Sequence, residues 1–227
     1  MRKTLTFALL VSALASGAGM GAIIVPSYLA SASSPDSISS KGTPTNLVNG
    51  SGLSAPVVTG DTLAYALSVT HVYDGKWKKS WVTIDHVPDY FAGASANPTI
   101  VFDLGEDRSI SDLVIWQYQN QGGGGANGTQ NIDVRFNTAA EGTTTFSGTA
   151  QTLTVARATG NAQGFTVTGT PTARYIQFEV TDNYYDGNVG GDRVGLGEVR
   201  VNVVPEASVV SLLGSLSLLG GLLRRRR

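Results

Sequence analysis

The chain contains no cysteine. Thiolate metal sites, thiol nucleophiles and disulfides are therefore excluded together. Histidine is scarce, with only His71 and His86 among 227 residues. Neither a Gly-x-Ser-x-Gly elbow nor a His-Glu-x-x-His pair occurs, so the common local signatures of hydrolysis are missing. Asp85 and Asp89 flank His86, but no local catalytic arrangement follows from them. Charged residues make up only 15%, and no twelve-residue stretch inside the body carries a helical period. What is abundant is glycine, at 28 residues, with many Ser and Thr. That is a turn-rich β composition.

Charge is unevenly placed. Six of the 16 basic residues lie at the extreme ends: Arg2, Lys3 and Arg224 to Arg227. Residues 33–205 hold 10 basic and 16 acidic side chains, a net of −6. An acidic body argues against a nucleic-acid partner, because neutralising phosphates takes Lys and Arg.

Both ends have the patterns of addresses. Met1-Arg2-Lys3 is followed by an apolar or small-residue run from Leu5 to Val25, and Ala30-Ser31-Ala32 offers small residues to a signal peptidase. A signal peptide over 1–32 is expected, with cleavage nearer Ala22 as the alternative and an uncleaved anchor as another. At the other end, Val204-Pro205-Glu206 precedes the apolar run Val209 to Leu223 and four Arg. As a helix that run rises ~22 Å, less than the ~30 Å hydrocarbon core. Its leucines leave no polar face, and the Arg cluster orients the C-terminus to the cytoplasm. These residues resemble the PEP-CTERM sorting signal of Gram-negative bacteria, with Ala207 where that family has a second Pro. The resemblance implies export, a membrane helix within 204–227, cleavage by an exosortase, and release or attachment at the outer surface. An ordinary tail anchor is the alternative.

Residues 33–45 are rich in Ser, Pro, Gly and Thr and are expected to be a linker. Beyond Asn46, short runs rich in Val, Ile, Thr and aromatics recur between turn clusters. They are 55–58, 81–84, 99–104, 113–118, 132–136, 152–156, 165–168, 174–180 and 199–203. Their lengths and composition predict strands. Ile100, Phe102 and Leu104 share one face, and Ile176, Phe178 and Val180 another. Trp81 and Trp116 sit inside these patterns and are expected in the core. Nine strands at this spacing predict an all-β sandwich over 46–203.

Several segments in order resemble the discoidin, or coagulation-factor (F5/8) type C, family. They are Asn46 to Ser54, Trp81, Pro98 to Gly105 with its strand-Asp-Leu-Gly sequence, Ile110 to Tyr118, Ala173 to Val180, and Val194-Gly-Leu-Gly-Glu-Val199. The resemblance implies a galactose-binding-like jelly roll. It departs at Asn137 to Gly142 and in the glycine-rich central loop 119–130. It also implies a structural Ca²⁺ held by Asn49, Ser54, carbonyls of 50–52 and Glu198. Hard oxygens on a Gly-rich loop suit that ion, although Asn at 49 supplies one charge fewer than Asp. An Asx turn beside a surface Glu is the alternative.

A second acidic segment, Asp182 to Asp192, is not an EF-hand, since Tyr184 and Arg193 stand at ligand positions. Its aromatics suit the apolar face of a sugar ring, with Asp and Asn for the hydroxyls. Trp77, Tyr184, Tyr185 and Asp186 are the candidate ligand-binding residues, with Lys76, Lys78 and Lys79 adding local positive charge around Trp77. The bland alternatives are a solvated turn and a tryptophan that anchors its loop. The expectation is an exported, non-catalytic surface or matrix module that binds glycan or exopolysaccharide. The alternatives are a ligand-free structural surface protein and a divergent polysaccharide hydrolase.

Overall fold

The computed structural model describes residues 21–34, 42–72, 79–118, 125–157, 160–187 and 189–204. Nine strands run through them: β1 (Ala22–Ile24), β2 (Ser27–Tyr28), β3 (Trp81–Val82), β4 (Thr99–Gln117), β5 (Thr129–Asn137), β6 (Gln151–Thr154), β7 (Ala162–Thr166), β8 (Thr172–Asn183) and β9 (Gly195–Val203). Two short helices, α1 (Leu63–Ser68) and α2 (Tyr90–Gly93), lie between them. The architecture is an all-β sandwich of antiparallel strands, as the strand spacing predicts.

β4 joins the two sheets. Its first half pairs with β2 and β8, and β8 continues to β5 and β6. Its second half pairs with β7 and β9, and β9 continues to β1 and β3. The runs 99–104 and 113–118, expected as separate strands, are thus one 19-residue strand. The polar stretch between them is not a break. Gly105 takes φ +86°, which glycine alone tolerates cheaply, Asp103 accepts from its N–H at 2.7 Å, and the register shifts there while the chain stays extended.

Between the sheets, Ile100, Phe102, Leu113, Ile115, Ile176, Phe178, Val180, Val199 and Val201 pack into one apolar cluster. Phe102 and Phe178 meet edge to face at 5.1 Å, a favoured aromatic geometry. The alternation of β8 is realised: Ile176, Phe178 and Val180 are buried while Tyr175, Gln177 and Glu179 are half-buried. Trp81 and Trp116 are both fully buried.

All nine residues of β9 are buried, so its outer face is covered as well. The cover is a second cluster, in which Ile23, Val57, Ala66 and Val69 pack on Val114 and Trp116. Trp116 Nε1 donates to Val69 O at 2.8 Å. In α1, Thr62 caps the helix by accepting from Tyr65 N, the usual threonine role. The run 55–58, expected as a strand, lies here without strand pairing.

The N-terminal boundary differs from expectation. Residues 22–24 and 27–28, expected inside the signal peptide, are strands of the domain, and Ile23 is fully buried. Ser33 Oγ and Ser34 Oγ accept from Val101 N and Thr99 N. The expected linker also contributes: Gly42 bridges to Val82, and Pro44 is buried. The physical reason is that β9 needs a partner along its free edge and Trp116 needs a lid; the chain from 21 to 34 supplies both. Residues 205–227 lie outside the described residues, and among those described no helix is long and apolar enough to cross a membrane.

Candidate functional site

The strand ends gather two of the predicted groups. At the Gly195 end of β9, the loop after β8 carries Tyr184, Tyr185 and Asp186. Asn183 pins this loop: its Nδ2 donates to Gly191 O at 2.9 Å and to Arg193 O at 3.1 Å, and its Oδ1 accepts from Tyr185 N at 3.0 Å. Asn183 is buried, so these bonds satisfy a side chain that would otherwise be costly. Gly191 N donates to Asn127 Oδ1, tying in the 125–128 turn.

Tyr184 is half-buried. Its hydroxyl donates to Val155 O at 2.6 Å, and the Arg157 guanidinium lies over its ring at 5.7 Å, within cation–π range. Burial pushes the Tyr184 phenol up, opposed by the nearby Arg157 charge. Tyr185 packs against Gly191, where a Cβ would lie 2.2 Å from its ring. Asp186 is exposed. The neighbouring loop brings a second set. His86 N donates to Asp192 O at 2.7 Å, Tyr90 N donates to Gly191 O at 2.8 Å, and Arg193 pairs with Asp85 at 3.3 Å and Asp192 at 3.6 Å. Buried Tyr90 stacks edge to face on His86 at 5.0 Å.

This end therefore presents half-buried aromatics beside carboxylates and guanidinium groups on a loop held from beneath. Such a surface suits a ring with one apolar face and a rim of hydroxyls. Trp77 lies outside the described residues. Arg157 was not foreseen; a lone Arg in a polar loop gives no sequence signal. Asn183 was not foreseen either, although an Asn at a strand-to-loop junction is a recognisable Asx position.

The predicted metal set is only partly assembled. Gly50 N donates to Glu198 Oε1 at 2.9 Å, so the early loop does meet the closing Glu. Asn49, however, spends its Oδ1 on Ser51 N at 2.9 Å and donates to Asn46 Oδ1 at 3.1 Å. This is the Asx-turn alternative. Ser54 Oγ accepts from Thr70 N at 3.1 Å and from Thr70 Oγ1 at 3.0 Å. Glu198 is not at the surface but fully buried, and Arg200 Nη1 donates to its Oε1 at 2.7 Å. Burial pushes the Glu198 carboxyl up, with Arg200 and Gly50 pulling it back. Oε1 thus faces a guanidinium and an amide N–H. Calcium wants six to eight oxygens, and this set does not fit it. Among the described residues there is no group of three or more His, Asp or Glu arranged to hold a metal ion.

No family model and no curated protein matches the chain. Solved structures similar to it include fucolectin, family 32 carbohydrate-binding-module and F5/8 type C domains. A fucolectin from striped bass (Morone saxatilis) serum is 11% identical over 79% of this chain, with TM-score 0.49. This chain covers 47% of that fucolectin, about half its length. A family 32 carbohydrate-binding module from C. perfringens, solved with galactose, is 13% identical over 81% of this chain and 99% of its own, with TM-score 0.45. An F5/8 type C domain from Bacteroides fragilis is 10% identical over 61% of this chain and 79% of its own, with TM-score 0.41.

Proposed function

We propose that the chain is an exported, non-catalytic module of discoidin type that binds carbohydrate through the loop end carrying Tyr184, Tyr185 and Asp186. The observation that carries this reading is the gathering of two half-buried tyrosines, Arg157 and the carboxylates of Asp186 and Asp192 on one loop platform braced by Asn183. The ordered motifs support it too: Trp81, Pro98 to Gly105, Ile110 to Tyr118, Ala173 to Val180 and Val194 to Val199 lie on or beside strands, and Asn46 to Ser54 lies outside them, as the early loop. A glycan array probed with the full chain tests the reading. Asp186 and Arg157 are exposed, so Asp186→Ala and Arg157→Ala should fold. Each removes a charged hydrogen-bonding group, so binding should weaken roughly 10- to 100-fold. Failure of the wild type to bind any glycan overturns the proposal.

One observation favours the structural alternative. The Tyr184 hydroxyl is already used on Val155 O and Tyr185 is packed on Gly191, so both rings also serve the loop itself. An array with no bound glycan leaves that reading standing.

Export is part of the same proposal. The basic start and apolar run suit a signal peptide handled by signal peptidase. Val204-Pro205-Glu206, the apolar run and the Arg tail suit exosortase sorting in a Gram-negative bacterium, through a membrane-held intermediate to the surface or the medium. Val204 is exposed and its N–H still donates to Ser109 O at 2.8 Å; Pro205 and Glu206 lie outside the described residues. The motif thus begins where the sheet ends. The place of β1 inside the sheet supports cleavage ahead of Ala22 rather than after Ala32.

A further inference from the structure

We propose that Arg200 is the resident cation of this domain: its guanidinium, in place of a divalent metal, ties the early loop to the closing strand, and the domain is calcium-independent. Glu198 and Arg200 are alternate residues of β9 and point to its outer face, opposite Trp116 and Val114 on β4. Glu198 is 0% and Arg200 2% exposed. Two charges so deeply placed persist only when paired and hydrogen-bonded.

The hydrogen bonds of the pair reach β9 itself and both ends of the 50–57 loop. Arg200 Nη1 donates to Glu198 Oε1 at 2.7 Å and to Val199 O at 2.8 Å, and Nε donates to Val57 O at 3.1 Å. Gly50 N donates to the same Glu198 oxygen at 2.9 Å. The pair therefore grips both ends of the 50–57 loop and fastens it over β9. That is the mechanical task the resemblance assigns to calcium.

The surroundings suit a guanidinium better than a hard ion. Arginine is always charged and planar, and it hydrogen-bonds to carbonyls and carboxylates through several fixed donors. A cavity of about 360 Å³ beside Arg200 is walled by Val25, Val48, Leu53, Pro56, Val57 and Val58 together with Asn49, Gly50 and Ser54, and the Arg200 guanidinium brings its charge to that wall. Glu198 Oε2 is buried without a hydrogen-bond partner, so this carboxylate offers a single open oxygen. A calcium ion there would meet repulsion from Arg200 and lack its oxygen cage.

The test uses the full chain and no glycan, so its outcome is separate from that of carbohydrate binding. The wild type should melt at the same temperature in EDTA and in excess calcium, with no heat on calorimetric titration by calcium. Arg200→Met strands a buried carboxylate and should lower the melting temperature by roughly 6–20 °C. Replacing both residues, with Glu198→Gln and Arg200→Met, removes the unpaired charge, so the double variant should melt above Arg200→Met. A calcium-dependent rise in the wild type that Glu198→Gln abolishes overturns the proposal. So does an Arg200→Met protein as stable as the wild type. Should Arg200→Met fail to fold, the wild-type titration and the double variant still decide.

Discussion

At the scale of single residues, some buried polar side chains tie strands, as Asn202 ties β9 to β4, and others fix loops. Asn183 is the clearest case, with two carbonyls and one N–H satisfied by one buried amide. Asn183→Ala leaves those groups unpaired and should cost about 1–3 kcal/mol, read as a shift in urea midpoint, and should weaken glycan binding alongside. Asp103 shows a different use of a polar group. Arg174 donates to both its oxygens, at 2.8 and 3.0 Å, and holds its carboxyl below the usual aspartate range; Gly105 N–H adds to this. A depressed folded pKa contributes stability above the unfolded value, about 3.9, that is lost as pH falls through the folded one. Wild type and Asp103→Asn should therefore differ in melting temperature at neutral pH and converge in acid. Equal pH profiles would show that the pair contributes nothing.

At the scale of elements, β1 has the largest consequence. It pairs Ala22 with Val203 and Ile24 with Val201, and Ile23 is fully buried against the Trp116 cluster. Ile23→Ala should cost about 2–5 kcal/mol, measured by denaturant unfolding. Amino-terminal sequencing of the exported chain should find its first residue at or before Ala22. A mature chain beginning at Ser33 would contradict the place of β1 in the sheet. β4 teaches a related lesson. Its polar centre reads locally as a turn, because Gly105, Glu106, Asp107 and Arg108 are turn-forming or charged. It stays within the strand because β8 pairs with β4 on both sides of the shift, Asp103 facing Tyr175 and Arg108 facing Ala173, and the crossing to the second sheet follows between Ser109 and Ile110.

At the scale of the whole molecule, the register places both ends of the domain together. Ala22 lies opposite Val203, and Val204 N bonds Ser109 O. The Tyr184 loop lies at the other end of β9, where Gly195 bridges Gly128. In the proposed membrane-held intermediate, a domain tethered through the chain beyond 204 would present the Tyr184 end outward. The absence of native cysteine makes this testable. A cysteine at Asp186 should react with an impermeant maleimide on intact cells faster than one at Thr172, which pairs with Ser109 beside the chain ends. Equal rates would argue against that orientation. The sequence by itself determined the β class, the burial of Trp81 and Trp116 and the inward faces of β4 and β8, because strand alternation and apolar composition are local. Tertiary structure alone decided the rest. Ile23 became core because the edge of β9 lay open, and Glu198 became buried because the 42–72 segment folds over it. Glu198 found its partner in Arg200 because a charge two residues away on one strand projects from the same face. Such outcomes depend on which segments meet across long stretches of chain, which no local pattern encodes.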